Sequence, residues 1–322
     1  MKIAVTQGHE KGIGLEVFFK TCLLLGDQTK NLLLFASQSA VSETLSALNL
    51  PHEIKKDSVS VAGVEIGTRW IGEKKSQSFH ALMNAMKFCE DSGSLLFTLP
   101  TSKDQFPGYP GHTEFFRHHY KKPNLGMFFS SPDLKVLLVT DHVAIKDLSD
   151  TLTEELISDR ILQAAKTLKS WQWPIERILV AGLNPPAGEG GLIGSEDSRV
   201  KNAIDRLSVE EDLNMSGPYP GDTILLEKRS PRDLLVYLFH DQGLGVFKGR
   251  QGFIGSNITL GLPYPRFSPD HGTSFSLFGK NHADYRGCAF ALKEALSLLE
   301  KIVHGKNSGH KGQGSQSKKH RR

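Results

Sequence analysis

The stretch LKVLLVT, residues 134–140, decides the fold class, and the polar residues Asp141 and His142 follow it at once. A continuous apolar run of this length is typical of a parallel strand that is buried on both faces of its sheet. Four other apolar strands run into unusual polar loops, QGHEKGIG, TLPTSKD, GLNPPAGEGG and HDQGLGVFK. Because ligands bind outside the carboxyl ends of strands in open α/β sheets, these loops predict an active site at one end of a parallel sheet.

Apolar strands alternate with segments of helical periodicity along the chain, which predicts an α/β fold with a mostly parallel sheet. Strands are predicted over residues 2–6, 31–36, 94–99, 134–140, 177–181 and 233–239. Helices are predicted over residues 15–25, 42–48, 78–92, 112–120, 153–168, 197–207 and 283–302. Residues 243–270 are predicted to form a long loop region.

Composition places the chain among ordinary globular enzymes, with 322 residues of which 39% are hydrophobic and 23% are charged. No apolar run approaches the roughly 20 residues that a membrane span needs. The start, MKIAVTQG, has the pattern of a strand and not of a signal peptide. Cys22, Cys89 and Cys288 are too few and too far apart for a disulfide framework or a thiolate zinc site. We therefore expect buried thiols and a reducing, cytoplasmic location.

Residues 304–322 are polar and basic, with six Lys or Arg and no acidic residue. This segment therefore accounts for the positive net charge of +4, and the rest of the chain is slightly acidic. This composition predicts a disordered tail, with contact to RNA or anionic lipid as the alternative. For the rest of the chain, neither nucleic acid nor a membrane is an expected partner.

Two histidines follow apolar strands, His142 in TDH and His240 in HDQG. Neutral imidazole is a common ligand of zinc and similar metals, and it needs an outer-sphere acceptor that fixes its tautomer. Asp141 and Asp241 stand next to these histidines and are candidates for that role. A structural role for both histidines is the alternative, and the residues alone leave it open.

Several isolated side chains suit an anionic ligand. His112 and Thr113 open a predicted helix, where they either bind a phosphate or carboxylate or cap the helix. Lys103, Lys248 and Arg266 are cations in otherwise neutral loops. Each alone is typical of a solvated surface charge, whereas together near strand ends they favour a phosphorylated substrate.

Two further loops are ambiguous. The turn GHEKGIG, residues 8–14, is either an anion-binding loop or a plain tight turn, and it lacks the GxGxxG spacing of a dinucleotide fold. His271 in DHGT is either an acid/base group or a helix cap. Nucleophilic hydrolysis is not expected, because the chain shows no GxSxG elbow and no paired Cys and His.

Seven ordered motifs carry a resemblance to a known family. They are TLPTSKD, GHTEFF, TDHVAIKD, GLNPPAGEGGLIGSED, GPYPGDT, FHDQGLGVFK and NITLGLPYPRFSPDHGT. In order and spacing, over about residues 1–301, they resemble the 4-hydroxythreonine-4-phosphate dehydrogenase family of vitamin B6 synthesis. The resemblance implies a fold like that of isocitrate and isopropylmalate dehydrogenases. Residues 1–303 would form two lobes around a cleft, approximately 1–135 with 270–303 and 136–269.

The resemblance also implies a homodimer that uses NAD to oxidise a secondary alcohol of a small phosphorylated substrate, with loss of CO₂. The positions that match substrate contacts are His112, Thr113, Lys248, Asn257 and Arg266. His142 and His240 match two of three histidines that hold a divalent metal, Zn²⁺, Mg²⁺ or Co²⁺, with one ligand crossing the dimer. The residues that bind NAD stay unassigned.

The chain departs from the family at the third metal ligand, where Pro186 in GLNPPAGE replaces a histidine. A three-histidine site is therefore impossible, and weakened metal binding is expected. In the first loop, His9 and Glu10 replace an Asp–Pro pair, and Leu15 replaces a proline. His9 is a candidate substitute ligand. The alternatives are a dehydrogenase of another phosphorylated hydroxy acid or diol, and a non-catalytic homologue that binds a ligand or partner.

Overall fold

The computed structural model describes residues 1–73, 75–227 and 230–311. Its strands are β1 (Ile3–Thr6), β2 (Leu32–Ala36), β3 (His52–Ile54), β4 (Ser58–Val61), β5 (Val64–Trp70), β6 (Leu95–Thr98), β7 (Gly126–Ser130), β8 (Lys135–Leu138), β9 (Arg177–Ala181), β10 (Met215–Tyr219), β11 (Asp233–Tyr237), β12 (Ser256–Leu260) and β13 (Arg266–Pro269). Its α-helices are α1 (Gly14–Leu25), α2 (Gln38–Ala47), α3 (Gln77–Ser92), α4 (His112–His119), α5 (Leu148–Thr151), α6 (Glu154–Ser170), α7 (Asp197–Glu210), α8 (His240–Gln251) and α9 (Arg286–Lys311).

Within the described residues, thirteen strands form one continuous sheet in the order β10-β9-β11-β8-β7-β12-β13-β6-β1-β2-β5-β4-β3. Strands β13, β6, β1, β2 and β5 pair in parallel and form a first block. Strands β10, β9, β11 and β8 pair in parallel and form a second block. The predicted α/β fold with a mostly parallel sheet is therefore confirmed.

Three consecutive antiparallel pairings join the two blocks, β8 with β7, β7 with β12, and β12 with β13. Three reversals make the second block run opposite to the first block. The polar loops after β1 and β6 therefore leave the sheet at one end, and the loops after β8, β9 and β11 leave it at the other. The prediction that all five loops meet at one end of a parallel sheet is wrong for this reason.

The apolar runs that predicted buried strands lie in the core. Val136 and Leu137 of β8 have no exposed surface, and Ile3, Ala4 and Val5 of β1 are equally buried. Cys22, Cys89 and Cys288 are free and buried, as expected. None of the described helices combines the length and the apolar character that crossing a bilayer requires.

The predicted loop over residues 243–270 is wrong, because this segment contains most of α8 and all of β12 and β13. Helix α8 includes Gly243, Gly245 and Gly249, which weaken its intrinsic helical propensity. Burial of Leu244 and Phe247 against the second block compensates for that weakness.

The closing helix α9 ends at Lys311, beyond the predicted end at Ile302. The first part of the predicted tail thus continues this helix, because a formed helix extends residue by residue at little cost. Residues 312–322 of the predicted tail lie outside the described residues. The boundaries of the two predicted lobes stay a prediction.

Candidate active site

A cavity of about 210 Å³ lies beside the end of β6, the start of β12 and the whole of β13. Helix α4 contributes its first residue to the cavity, and α8 contributes a residue of its last turn. Four of the five predicted substrate contacts line it, namely His112, Lys248, Asn257 and Arg266, together with Thr98, Thr101, Ser268, Asp270 and His271. Thr113 is buried beside His112 but is not among the described residues that line this cavity.

Arg266 is a buried cation, with 4% of its surface exposed. Its Nε and Nη1 donate to the Thr98 and Thr259 hydroxyls at 3.0 and 3.1 Å, and its guanidinium lies 5.8 Å from the centre of the Phe116 ring. Among the described residues, no carboxylate forms an ion pair with it. Burial lowers the pKa of Arg266 to about 9, which expresses the cost of an uncompensated charge. An anionic ligand in the cavity would supply the missing countercharge.

Four side-chain atoms at this cavity are buried but have no hydrogen-bond partner within the described part of the chain. They are Thr101 Oγ1, Asn257 Oδ1, Asp270 Oδ2 and His271 Nε2. Buried polar atoms in folded proteins are bonded in the large majority of cases, so a cluster of exceptions requires an explanation. All four can accept a hydrogen bond. They therefore suit a ligand that carries hydroxyl or ammonium donors in addition to its negative charge.

Burial disfavours the charged forms of the other titratable side chains at the cavity. Burial raises the pKa of Asp270, although Lys248 Nζ lies 3.3 Å from Asp270 Oδ1 and pulls the pKa down. Burial and the charge of Arg266 hold the pKa of His112 well below its ordinary value, so that its imidazole is neutral at pH 7. Its ring packs between Phe106 and Phe116, with centroids 4.9 and 6.0 Å away.

His142 and His240 lie together within one chain, with ring centroids 5.8 Å apart. They line a second cavity of about 200 Å³ together with Asp141 and Asp241. The Nδ1 atom of His142 is 2.6 Å from Glu114 Oε1, and that of His240 is 2.7 Å from Asp241 Oδ1. Each imidazole thus has a carboxylate that fixes its tautomer, which leaves both Nε2 atoms available to a metal.

The charges around this histidine pair compensate one another. The hydrogen bond that His142 donates to Glu114 raises the pKa of His142, and the same bond lowers the pKa of Glu114. Burial alone would raise the pKa of Asp141, but the hydrogen bond and the charge of Arg117, 2.5 Å away, lower it. Asp141 is therefore the ion-pair partner of Arg117, whereas Glu114 is the hydrogen-bond partner of His142.

The two histidines fit part of a metal site. Among residues 1–73, 75–227 and 230–311, no group of three or more His, Cys, Asp or Glu side chains is arranged to hold a metal ion. Pro186 lies in an exposed loop after β9 and has no ligating atom. The start of this loop adjoins α8, because Gln242 Nε2 donates to the Gly182 carbonyl at 2.9 Å. The chain therefore supplies two imidazoles for a cation.

The turn at residues 8–14 is used for packing. The backbone N–H groups of His9, Lys11, Gly12 and Ile13 all donate within the protein. His9 packs against Phe275 with ring centroids 4.8 Å apart, and its Nδ1 accepts from Lys11 N. This arrangement favours the tight-turn alternative over an anion-binding loop. It also commits His9 to contacts outside the histidine pair.

Several residues of the site were not singled out from the sequence. Thr98 and Thr101 lie in the quoted motif TLPTSKD, and Asp270 directly precedes His271 in DHGT, so their positions in these motifs were the available signal. Glu114 stands two residues after His112, inside the quoted motif GHTEFF, and that proximity was the available signal. The pairing of Glu114 with His142 depends on the packing of α4 near the end of β8, which the sequence does not reveal.

Residues 23–295 match the family model described as "Pyridoxal phosphate biosynthetic protein PdxA". The chain belongs to the PdxA family. A 4-hydroxythreonine-4-phosphate dehydrogenase from Beijerinckia indica is 30% identical over 320 residues, which cover 92% of this PdxA-family chain and 94% of that protein. A relative from Oceanobacillus iheyensis, provisionally named a D-threonate 4-phosphate dehydrogenase, is 39% identical over 193 residues, or 59% of this chain and 58% of that protein.

Solved structures agree with this assignment. A crystal structure of 4-hydroxythreonine-4-phosphate dehydrogenase from Klebsiella pneumoniae is similar with a TM-score of 0.76 and 28% identity, covering 92% of this PdxA-family chain and 99% of that chain. Isocitrate dehydrogenase from Methylococcus capsulatus is similar in fold alone, with a TM-score of 0.52 and 12% identity over 94% and 86% of the two chains. The predicted family and the isocitrate dehydrogenase-like fold are confirmed.

Proposed function

We propose that this chain is a cytoplasmic NAD-dependent dehydrogenase that oxidises 4-hydroxythreonine 4-phosphate, with decarboxylation, in pyridoxal phosphate biosynthesis. The observation that carries the proposal is the buried guanidinium of Arg266, which faces a cavity without a carboxylate partner in the described part of the chain. A buried cation of this kind requires an anion, and guanidinium binds phosphate and carboxylate oxygens in bidentate geometry. The family membership supports the phosphorylated amino acid as that anion.

The side chains of the cavity have complementary roles in this proposal. Arg266 and Lys248 bind the anionic groups of the substrate, and their fixed positions orient its carbon chain. Thr101 Oγ1 and Asn257 Oδ1 accept hydrogen bonds from its hydroxyl or ammonium groups. His112 stays neutral, so that it adds no positive charge beside Arg266. The small volume of the cavity excludes most water once a substrate of this size is bound.

Bound NAD would supply the hydride-acceptor chemistry of the oxidation, which belongs to the cofactor. In the turn at residues 8–14, the N–H groups of His9, Lys11 and Gly12 donate within the protein and so are not offered to the phosphates of NAD. A divalent cation, Zn²⁺, Mg²⁺ or Co²⁺, would be held by His142 and His240 and would act as a Lewis acid there. Glu114 and Asp241 orient these two ligands.

The direct test is NADH formation from 4-hydroxythreonine 4-phosphate by the purified, folded protein, with each of the three metals and with a chelator. We expect turnover that increases with added metal, since two histidines bind a cation more weakly than three. No NADH formation with any metal, although the protein is folded, would contradict the proposal.

A second candidate is the oxidation of another phosphorylated hydroxy acid, such as D-threonate 4-phosphate. The relative from Oceanobacillus iheyensis favours it, because its aligned part is 39% identical to this chain. The two substrates differ in the group at the second carbon, so kcat/KM values on a panel of phosphorylated hydroxy acids will separate them. A non-catalytic homologue would bind the substrate in calorimetry and yet produce no NADH with any member of the panel.

We further propose that the protein is a homodimer. Ile145, Leu192 and Leu226 are 79%, 83% and 81% exposed. They lie in the loops after β8, β9 and β10, which leave the second block at the same end. Exposed apolar side chains at one end of a sheet are typical of a protein interface. Light scattering coupled to size exclusion tests this, and a monomer at micromolar concentration would contradict it.

A further inference from the structure

His271 lines the cavity, and one of its two ring nitrogens is unprotonated and unpartnered within the described part of the chain. It directly follows Asp270 at the end of β13, and its Nδ1 lies 3.1 Å from the carbonyl oxygen of Gly272. A carbonyl only accepts, so Nδ1 carries the proton and donates it to this bond. In the neutral imidazole Nε2 is then a lone-pair acceptor. This atom is buried and has no partner among the described residues.

The surroundings keep this imidazole neutral. Burial lowers the pKa of His271, and the charge of Lys248 acts in the same direction. The carbonyl of Gly272 and the carboxylate of Asp284 raise the pKa, but their influence is smaller. Arg266 lines the same cavity as a further cation. The lone pair at Nε2 is therefore free of both a proton and a partner in the described part of the chain.

We infer that His271 Nε2 accepts the proton of the substrate hydroxyl while the alcohol is oxidised, an inference that rests on the proposed dehydrogenase function. In this step the substrate C–H bond breaks, and its electron pair and hydrogen pass as hydride to NAD⁺, which becomes NADH. The O–H bond breaks as well, its proton forms a new N–H bond at Nε2, and the C=O bond of the ketone forms. The charge of the resulting imidazolium is compensated in part by Asp284.

Other groups at the cavity suit this role less well. Lys248 Nζ lies 3.3 Å from Asp270 Oδ1 and is committed to that ion pair. Asp270 is needed as the partner of Lys248, and a carboxylate is intrinsically a weaker base than an imidazole. His112 lies against two aromatic rings, and its pKa is held far below its ordinary value. An imidazole with a free Nε2 is the better match to proton transfer near neutral pH.

The first test compares His271→Gln with the wild type in the same NADH assay. Glutamine preserves a polar acceptor near the position of Nε2 but takes no proton, so binding and proton transfer are separated. We expect kcat to fall by ~10²–10⁴-fold with KM within a few-fold of the wild type. The acidic limb of the kcat pH profile should also disappear. His282→Gln, at an exposed histidine outside the cavity, is the matched control and should leave both constants unchanged.

A His271→Gln variant that keeps the kcat and the acidic limb of the wild type would overturn the inference. Nitrogen NMR of histidine-labelled wild-type protein provides a second test that requires no turnover and no variant. At pH 7 without substrate, His271 should be the neutral tautomer with the proton on Nδ1. An Nε2–H tautomer or an imidazolium would overturn the inference, even if no substrate of the panel is oxidised. Absence of turnover together with the expected tautomer would instead contradict the proposed function alone.

Discussion

Charged side chains are disfavoured in the cavity around Arg266, whereas they are stabilised at the pair formed by His142 and His240. In the cavity, burial shifts the pKa values of Arg266, His112 and Asp270 against their charged forms. At the pair, the hydrogen bond between Glu114 and His142 shifts both of their pKa values toward the charged forms. One region is electrostatically incomplete without a ligand, whereas the other is complete by itself.

The two regions therefore require ligands of different charge. An anion in the cavity would relieve the desolvation of Arg266, so binding and stability should increase together. A cation at the histidine pair must instead compete with the proton that Glu114 helps to hold on His142. The substrate site is therefore expected to be strong and the metal site weak, in agreement with the loss of a ligand at Pro186.

The strongest test of the comparison is Arg266→Met, which removes the buried cation and retains much of its volume. We expect kcat/KM to fall by at least ~10³-fold, because a charged hydrogen-bonded contact to the substrate is lost and its anion is left without a counterion. In the absence of ligand, the free energy of unfolding should rise by roughly 1–3 kcal/mol, since replacing an uncompensated buried charge by an apolar group is often stabilising. Steady-state kinetics in the NADH assay measure the first effect, and urea unfolding with and without inorganic phosphate measures the second.

Arg160→Met is the matched control for that variant. Arg160 is similarly buried, but its Nε and Nη1 donate to the carbonyls of Val139 and Asn124 at 3.1 and 2.6 Å. Its loss leaves two backbone carbonyls unpaired, and these cannot rotate to other partners as the Thr98 and Thr259 hydroxyls beside Arg266 can, so this variant should be destabilised. If both methionine variants were destabilised by the same amount, the cavity would hold no uncompensated charge.

Pro186→His tests whether the histidine pair binds a metal weakly because a third ligand is missing. The backbone at Pro186 has φ of −76°, which a histidine adopts without strain. A third imidazole should raise the affinity for Zn²⁺ by about tenfold or more, given that even outer-shell contacts are worth ~10–100-fold. Calorimetric titration with Zn²⁺ measures it. Pro185→His is the control at the neighbouring position, and equal affinity gains in both variants would contradict a specific third-ligand role.

A smaller effect is expected from Asp270→Asn, on the pH dependence of the free energy of unfolding. The folded-state pKa of Asp270 is raised by burial above its ordinary value of 3.8, so the unfolded chain loses this proton first as pH rises. The wild type therefore loses stability as pH increases through the window between these two values, and the loss persists above it. Asp270→Asn lacks this loss, so its relative stability should increase from pH 3.5 to pH 7. Unfolding curves across that range that stay parallel would be evidence against it.

The smallest effect is expected from Glu114→Gln at the histidine pair. Without the carboxylate, the pKa of His142 should fall toward its ordinary value of 6.5, which proton NMR detects. The pair contributes stability while Glu114 is ionised and His142 is protonated, above about pH 4.5 and up to the raised pKa of His142. The side chain of His142 is 56% exposed, so the loss at pH 5.5 should stay below about 1 kcal/mol and vanish at pH 8.5. An unchanged titration of His142 would show that Glu114 does not control it.

The residues of the site were more predictable from sequence than the path of the chain between them. Long apolar runs such as 134–140 identified buried strands, and polar side chains after them identified candidates. The segment 243–270 escaped prediction because its six glycines and three prolines mask α8, β12 and β13. These elements form through burial of residues such as Phe247 and Ile258. The short strand β7, which was not predicted, begins the reversal of direction, so the sequence could not reveal where the loops leave the sheet.

The antiparallel strands β7 and β12 also determine how the molecule can open. Asn257 of β12 and Arg266 of β13 lie where the two blocks of the sheet meet. Ladders of backbone hydrogen bonds join the blocks there. A relative movement of the blocks must then change the twist between neighbouring strands, which is a stiff, distributed deformation and not the swing of a flexible linker. Opening and closing around a ligand should accordingly be small in amplitude, with the elastic deformation distributed over the strands of the sheet.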